Sequence, residues 1–496
     1  MDVHLTRDRQ HDINTRYLDM IPGGLAWLAL GIVVVGAIYA PAGVLVGVAL
    51  LACYSAARFG LAGIANLWGL RLIRRWEALD WRAEYDKRAD GASLPLDSVH
   101  HLVVLPNYQE SPDVLRRSLE RLAGQANART TISLVLAMEA AEPGAREKGE
   151  WLRAAYCVSF AHVFVTLHPP GETQCKSANL NWALRWAKRK MVDELGYAMD
   201  HLVVTTMDAD TLWHPAYFES LGVLFAADPQ RYSTYWQAPI RYHAGVETVH
   251  PLMRILHAYA SAWELAYLAA PWWQALPMSS YSASLRLLHR AGYYDPGVIA
   301  DEWHMFIKSY FARAGDQRVQ PIFLPFLASA TAGSTWQEAI RARYRQTVRH
   351  AWGAKEIGYT LAQMNRHARP AFPLLIRVAH DNLLAGAGWV IMFLGAQMPL
   401  IFHPAWARDH LHSPPFVALQ ASLVLITALT MIFWALDVCI RPARARPWTK
   451  YERLYELLSL PLVAVLTALC VALPVLHAQT RLMLGQSIEF HVTAKQ

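Results

Sequence analysis

Two long apolar blocks, one near each end of the chain, limit what it can fold into more than any other feature. Residues 21–68 are almost wholly apolar, interrupted at Ala40-Pro41 and by Arg58. A helical span needs about 20 such residues to cross a bilayer core, so this block predicts two spans joined by a tight turn. A cleaved leader is the alternative, but its apolar region would be only about 7–15 residues long. Arg7, Arg9 and Arg16 precede the block, and Arg71, Arg74 and Arg75 follow it. The positive-inside rule then places both flanks in the cytosol. The second block begins near Phe372, where 382–402 and 415–436 read as spans and lead into the basic segment 441–450. A last apolar stretch, 457–476, contains Pro461 and Pro474. As a crossing it puts the C-terminus outside; as a re-entrant segment, or with an extra crossing hidden in 371–402, it keeps the C-terminus in the cytosol.

The composition agrees with a mixed membrane and soluble protein. Only 17% of the 496 residues are charged, against about 25% in ordinary soluble domains. The formal net charge is +7, with the basic residues gathered beside apolar stretches. That pattern suits a membrane surface and argues against nucleic acid as a partner. The five cysteines form no C-x-x-C pair and read as reduced core residues.

Between the blocks, from 94 to 327, short apolar runs alternate with amphipathic ones. Strands are expected at 101–105, 132–138, 162–167 and 201–206, with helices from Pro112 and near 145–158 and 176–195. Such alternation predicts an α/β fold with a mostly parallel sheet, whose ligands sit at the carboxyl ends of the strands. Several polar residues fall there. Asp208 and Asp210 follow the fourth run; on an extended backbone, side chains two apart face the same way. Two carboxylates beside a diphosphate suit Mg²⁺ or Mn²⁺, although aspartates in a turn also serve as caps. Lys176, Asn179 and Asn181 open a helix, where a lysine and two amides can grip an anion or face solvent. Tyr108 and Glu110 end the first run and Glu139 the second; either carboxylate can accept from a base or ribose, or simply close a turn. Asp301 and Glu302 start a helix, as a general base or as favourable partners of the helix dipole. Arg343, Arg345, Gln346, Arg349, His350 and Trp352 cluster on an amphipathic segment. They suit a lipid-facing belt, or stabilisation of a leaving pyrophosphate with an aromatic stacked on sugar.

Taken in order, P-N-Y-Q-E at 106–110, the acid Glu139, K-S-A-N-L-N at 176–181, D-A-D at 208–210, the D-E pair at 301–302 and Gln346-Thr-Val-Arg349-His350 resemble the membrane-embedded family-2 glycosyltransferases. These are the cellulose, chitin and hyaluronan synthases. The resemblance spans about residues 95–355 and extends to the flanking membrane segments in kind only. It implies a cytosolic, Rossmann-like domain of the A-type glycosyltransferases inserted between transmembrane helices. That domain would take a nucleotide-diphosphate sugar, UDP-linked by expectation, and transfer it with inversion to a growing β-linked polysaccharide. By the same resemblance Tyr108, Glu110, Glu139, Lys176 and Asp208 bind the donor, and Asp208 and Asp210 hold Mg²⁺ or Mn²⁺. Gln346, Arg349, His350 and Trp352 would attend the acceptor and the pyrophosphate. The family's T-E-D triplet reads Ala300-Asp301-Glu302 here, so Glu302 falls on the base position, and Asp301 does if the register slips by one. Histidine replaces the tryptophan of Q-x-x-R-W at position 350, which leaves a lipid acceptor for a single sugar as an alternative to a glycan. A non-catalytic nucleotide-sugar sensor or transport subunit is a third reading. Phe490, Val492, Thr493 and Lys495 fit F-x-V-T-x-K, which resembles a gating loop of cellulose synthase.

The expected organisation is a cytosolic tail at 1–20, two spans within 21–70, a transferase domain at 71–335 and an amphipathic interfacial helix at 336–370. About three spanning or re-entrant helices follow at 371–477, then a tail at 478–496 with the possible gating motif. The location implied is a multi-pass cell (inner) membrane, with membrane lipid as a partner.

Overall fold

Apolar runs that alternate with amphipathic helices become strands because only extended segments packed between helices bury both faces. The computed structural model describes residues 16–313, 316–330, 333, 335–442 and 448–486. Its first four strands are β1 (His100–Asn107), β2 (Ile132–Glu139), β3 (His162–His168) and β4 (Leu202–Thr206). β1 pairs in parallel with β2 and β4, and β2 with β3. Five shorter strands follow: β5 (Thr234–Gln237), β6 (Ile240–Ala244), β7 (Tyr281–Ser284), β8 (Arg318–Pro321) and β9 (Phe326–Ser329). The main sheet runs β3-β2-β1-β4-β7-β5-β8, and β6 pairs with β9 separately. β7 is antiparallel to β4 and β5, so the mostly parallel sheet contains one reversed strand.

The connecting helices start where the sequence provides caps. Ser111 accepts from the Val114 N–H with Pro112 in the first turn, and the helix Pro112–Ala123 buries Leu115, Leu119 and Leu122. Trp213 and Tyr217 stack 4.0 Å apart under the sheet, and Phe326 lies 5.0 Å from Trp213.

The described residues fall into two units. One comprises Leu67–Val246 and Tyr267–Ala330 and holds both sheets; the other comprises 16–66, Glu247–Ala266 and the described residues beyond 331. Glu247–Ala266 thus leaves the stretch 71–335 and packs with the second unit. Among the described residues, four helices are long and apolar enough to cross a membrane: Arg16–Tyr39, Pro41–Glu77, Pro414–Ile440 and Lys450–Leu484. A fifth is possible if Phe372–Gly388 and Ile391–Phe402, bent by 41°, count as one span. The break therefore lies in the Gly-rich segment around 384–395, where the helix widens into π turns, and not at Pro461 and Pro474. Those prolines are accommodated by a 3₁₀ turn at Leu460–Leu462 and a π turn at Ala468–Ala472, devices that relieve a missing N–H without ending a helix. The cysteines depart from the core expectation: only Cys470 is buried, while Cys53, Cys157 and Cys439 are exposed.

Helix Arg16–Tyr39 approaches helix Lys450–Leu484 closely at Gly23, where a Cβ would lie 2.5 Å from the Gln479 carbonyl oxygen and 2.7 Å from the Met483 Cβ. Its neighbour Gly24 has nothing within 4 Å. Gly23→Ala is expected to destabilise the solubilised protein by about 1–3 kcal/mol, and Gly24→Ala to leave it unchanged or slightly stabilised. Thermal melts of the two variants check the contact; equal melting temperatures would contradict it.

Candidate active site

Parallel strands β2, β1 and β4 end on one edge of the sheet, and the polar residues singled out above collect there. β4 stops at Thr206, and Asp208 opens a turn closed by the Thr211 N–H to the Asp208 carbonyl at 3.0 Å. The D-A-D motif is therefore in a turn, and the extended backbone expected to align its side chains is absent. Separate anchors orient the two carboxylates instead. Ser279 Oγ donates to Asp208 Oδ2 at 2.7 Å, and the Asp208 N–H donates to Ser280 Oγ at 3.0 Å. Asp210 is buried, and its Oδ2 accepts from the Ser329 N–H at 3.1 Å, at the end of β9. Ser279 adopts φ 54°, in the left-handed region, a strained conformation of the kind that concentrates at functional sites.

Lys176 is the first residue of the helix Lys176–Lys188, whose N-terminus is capped by Cys175 Sγ accepting from the Ala178 N–H. Its ammonium lies 3.0 Å from Asp208 Oδ1, 3.1 Å from Glu302 Oε1 and 3.6 Å from Asp301 Oδ2. Asp301 and Glu302 form the first turn of the helix Asp301–Ala312. Two segments far apart in sequence thus deliver three carboxylates to the cation carried by a third. Burial opposes the charge on Lys176, but Asp208, Asp301 and Glu302 together hold its pKa well above the usual lysine value. Asp301 shows the reverse. Burial, then the Glu302 charge, lifts its carboxyl well above the usual range against the pull of Lys176. Of the adjacent acids Asp301 is the buried one, and Glu302 the one with an accessible side chain (19% exposed).

On β2, Glu139 is paired in register with His168 on β3. Nδ1 of the fully buried imidazole lies 3.0 and 3.1 Å from the two Glu139 oxygens, and Glu172 is 3.4 Å from its Nε2. Burial raises the Glu139 carboxyl, with His168 pulling it down. Two strand spacings of about 4.8 Å separate β2 from β4, so these groups flank one groove edge. The opening motif is organised by Glu142, which accepts from the Gln109 N–H at 2.6 Å and from Asn107 Nδ2 at 3.3 Å. Glu142 also pairs with Lys148, whose ammonium reaches the Glu110 carbonyl at 3.2 Å. Tyr108 is half-buried and accepts from Gln109 Nε2 at 3.3 Å. Glu142, His168, Ser279 and Ser329 were not legible as site residues. They act through backbone groups or through a neighbour, and no local pattern marks that.

Gln346, Arg349 and His350 lie on the helix Trp336–His350, in the other unit. Arg343 donates to Gln346 Oε1 at 3.0 Å. Trp352, in the 3₁₀ turn Ala351–Ala354, packs against a cluster of Val348, Ala351, Val475 and Ala478, whereas His350 is exposed. Phe490, Val492, Thr493 and Lys495 lie outside the described residues.

The donor set at Asp208 and Asp210 fits Mg²⁺ or Mn²⁺ only as a partial shell. Among the described residues no group of three or more His, Cys, Asp or Glu side chains could hold an ion alone. Two hard carboxylates, each oriented by its own hydrogen bond, suit an ion that takes its remaining ligands from phosphate oxygens and water.

No protein-family model matches the chain, and no curated protein matches it in sequence. Among solved structures, S. aureus TarS 1–349 aligns over 79% of this chain and 94% of its own, at 11% identity and a TM-score of 0.34. TarS 1–349 in complex with UDP-GlcNAc covers 66% of this chain and 91% of its own, at 12% identity and 0.32. GalNAc-T7 with UDP, GalNAc and Mn²⁺ covers 58% of each, at 10% identity and 0.33. At such scores these likenesses carry no argument about activity.

The raised Asp301 has a consequence for stability. An unfolded aspartate gives up its proton near pH 4, whereas the folded chain retains it. This contribution is complete below that pH and is lost as the pH rises toward the folded value. Asp301→Asn is expected to flatten the fall in melting temperature between about pH 5 and 8, in buffer free of metal and nucleotide. An unchanged profile would contradict a buried, protonated Asp301.

Proposed function

We propose that the chain is an inverting membrane glycosyltransferase that uses a nucleotide-diphosphate sugar, UDP-linked in the first instance, to build and extrude a β-linked polysaccharide. The observation that carries this reading is the single Lys176 ammonium held by Asp208, Asp301 and Glu302 at the carboxyl edge of the sheet. A cation and a base within one side chain's reach suit a reaction in which a diphosphate leaves and a hydroxyl is deprotonated. The position of Glu139 beside this edge suits the base or ribose of the donor, with Tyr108 and Glu110 following β1, the strand between β2 and β4.

Lys176 orients the diphosphate. The acceptor oxygen bonds to the anomeric carbon on the face opposite the diphosphate, and the anomeric C–O bond breaks. The electron pair departs with the diphosphate, and the acceptor proton passes to Glu302. Asp301, buried and with its pKa raised by burial and by the Glu302 charge, is less accessible to the acceptor than Glu302. Asp208 and Asp210 would hold a divalent ion, which would supply compensating charge for the leaving group. By the same reading the transferase unit faces the cytosol, as the basic flanks suggest.

Packing of Trp352 into an apolar cluster, with His350 exposed in its stead, favours a second reading for the acceptor: transfer of one sugar to a lipid. The two differ in product size.

Nucleotide release from a panel of UDP- and GDP-sugars with Mg²⁺ or Mn²⁺ tests the class, with Asp210→Asn as the blank. Glu302→Gln is expected to lower kcat by about 10²- to 10⁴-fold with donor affinity retained. Full turnover in Glu302→Gln combined with loss in Asp301→Asn would move the base to Asp301. Donor binding without release would favour the sensor reading, and absence of both would overturn the site.

A further inference from the structure

We infer that Lys176 is a cation switch: its ammonium holds the place of a divalent ion on Asp208, and a diphosphate must draw it away before that carboxylate can bind metal. The inference rests on the nucleotide-diphosphate reading of the site and adds an order of events to it.

The argument starts from how the Asp208 oxygens are used. Oδ1 receives the Lys176 ammonium at 3.0 Å and Oδ2 the Ser279 hydroxyl at 2.7 Å. Asp210, the other hard ligand, commits Oδ2 to the Ser329 N–H. A dication brought to Asp208 therefore meets an ammonium already in contact with the oxygen it needs, and like charges at that distance in a partly buried site repel strongly. The lysine has reason to stay, because Glu302 and Asp301 hold the same ammonium at 3.1 and 3.6 Å.

A diphosphate changes this balance. It brings several anionic oxygens that can take over the ammonium, as phosphate does with a flexible lysine. The same oxygens complete the ion's shell, which two aspartates cannot. The backbone under Lys176 need not move. Asn179 on the same helix turn donates to the Ala137 carbonyl at 2.9 Å, and Ser177 and Ala178 are buried, so only the side chain has to swing. Ion and diphosphate then bind as a pair, each raising the affinity of the other by the same factor.

The test is a Mn²⁺ titration of the full-length protein in detergent, read as loss of the free-ion paramagnetic resonance signal. It is run with and without UDP against protein-free blanks. In the wild type, UDP is expected to tighten Mn²⁺ binding about tenfold or more. Lys176→Gln removes the ammonium; it should tighten Mn²⁺ binding without nucleotide by a similar factor and shrink the UDP effect. Lys176→Arg keeps the charge and should hold Mn²⁺ weak in the absence of UDP. Wild type that binds Mn²⁺ as tightly without UDP as with it overturns the switch. So does an equal UDP effect in wild type and Lys176→Gln, a result that leaves the nucleotide site standing. If Lys176→Gln tightens Mn²⁺ while UDP binds neither protein, the ammonium competes with metal but no diphosphate draws it away, and the switch falls together with the nucleotide reading.

Discussion

Negative charge gathered at one strand edge is tolerated only because one cation compensates it, and much of the sheet-bearing unit is arranged around that compensation. Lys176 enters from a capped helix start, Asp208 from the turn after β4, and Asp301 and Glu302 from a helix that follows β7. None of these segments could deliver its charge alone. A buried carboxylate shifts its pKa toward the protonated form, and burial and the Glu302 charge push Asp301 that way against the pull of the lysine. The outcome is a contrast between two adjacent acids on the same ammonium, one buried with a raised pKa and one accessible and nearer to it. Environments that push neighbouring groups apart in this way are a recurrent means of assigning acid and base roles.

The apolar unit meets the same constraint with different partners. Arg58, set within the helix Pro41–Glu77, pairs with Asp381 at 3.0 Å and lies 4.5 Å over the Trp263 ring. Arg377 pairs with the same aspartate. Glu456 accepts from Arg441 at 2.8 Å and approaches Arg254 at 3.3 Å, while Arg441 also bonds Asp437 at 3.0 Å. All four of those side chains are about 5% exposed or less. Buried ion pairs of this kind add little net stability, but loss of one member strands the others. Their value lies in fixing which helices meet, since apolar helices in lipid have no hydrophobic preference among themselves.

Much of this was legible in the sequence, for physical reasons that can be named. β1, β2 and β4 are apolar because both faces are covered, and Ser111-Pro112 announces its helix because a cap and a fixed φ do so locally. β5 to β9 are only four or five residues long and mix polar with apolar positions, as in T-Y-W-Q and Y-S-A-S. Such runs have no period to read, and the reversed β7 between β4 and β5 depends on packing far along the chain. The convergence of Lys176, Asp208, Asp301 and Glu302 was foreshadowed by motif order alone. The anchors of the D-A-D motif were hidden because the Ser279 hydroxyl reaches Asp208 from far along the chain and the Ser329 N–H that holds Asp210 is a backbone donor that leaves no trace in composition. Proline positions misled in 450–484, where local turns absorbed them, while the bend fell in the glycine-rich stretch around 384–395.

The central claim is that this strand edge binds a nucleotide diphosphate, and an experimental structure of the full chain in a lipid nanodisc with UDP and Mn²⁺ tests it most directly. The account predicts diphosphate density between the D-A-D turn and the start of helix Lys176–Lys188. The base should lie toward Glu139, and the Lys176 ammonium should have moved from Asp208 to phosphate. Nucleotide bound elsewhere on the chain, with Lys176 still seated among the three carboxylates, would contradict it.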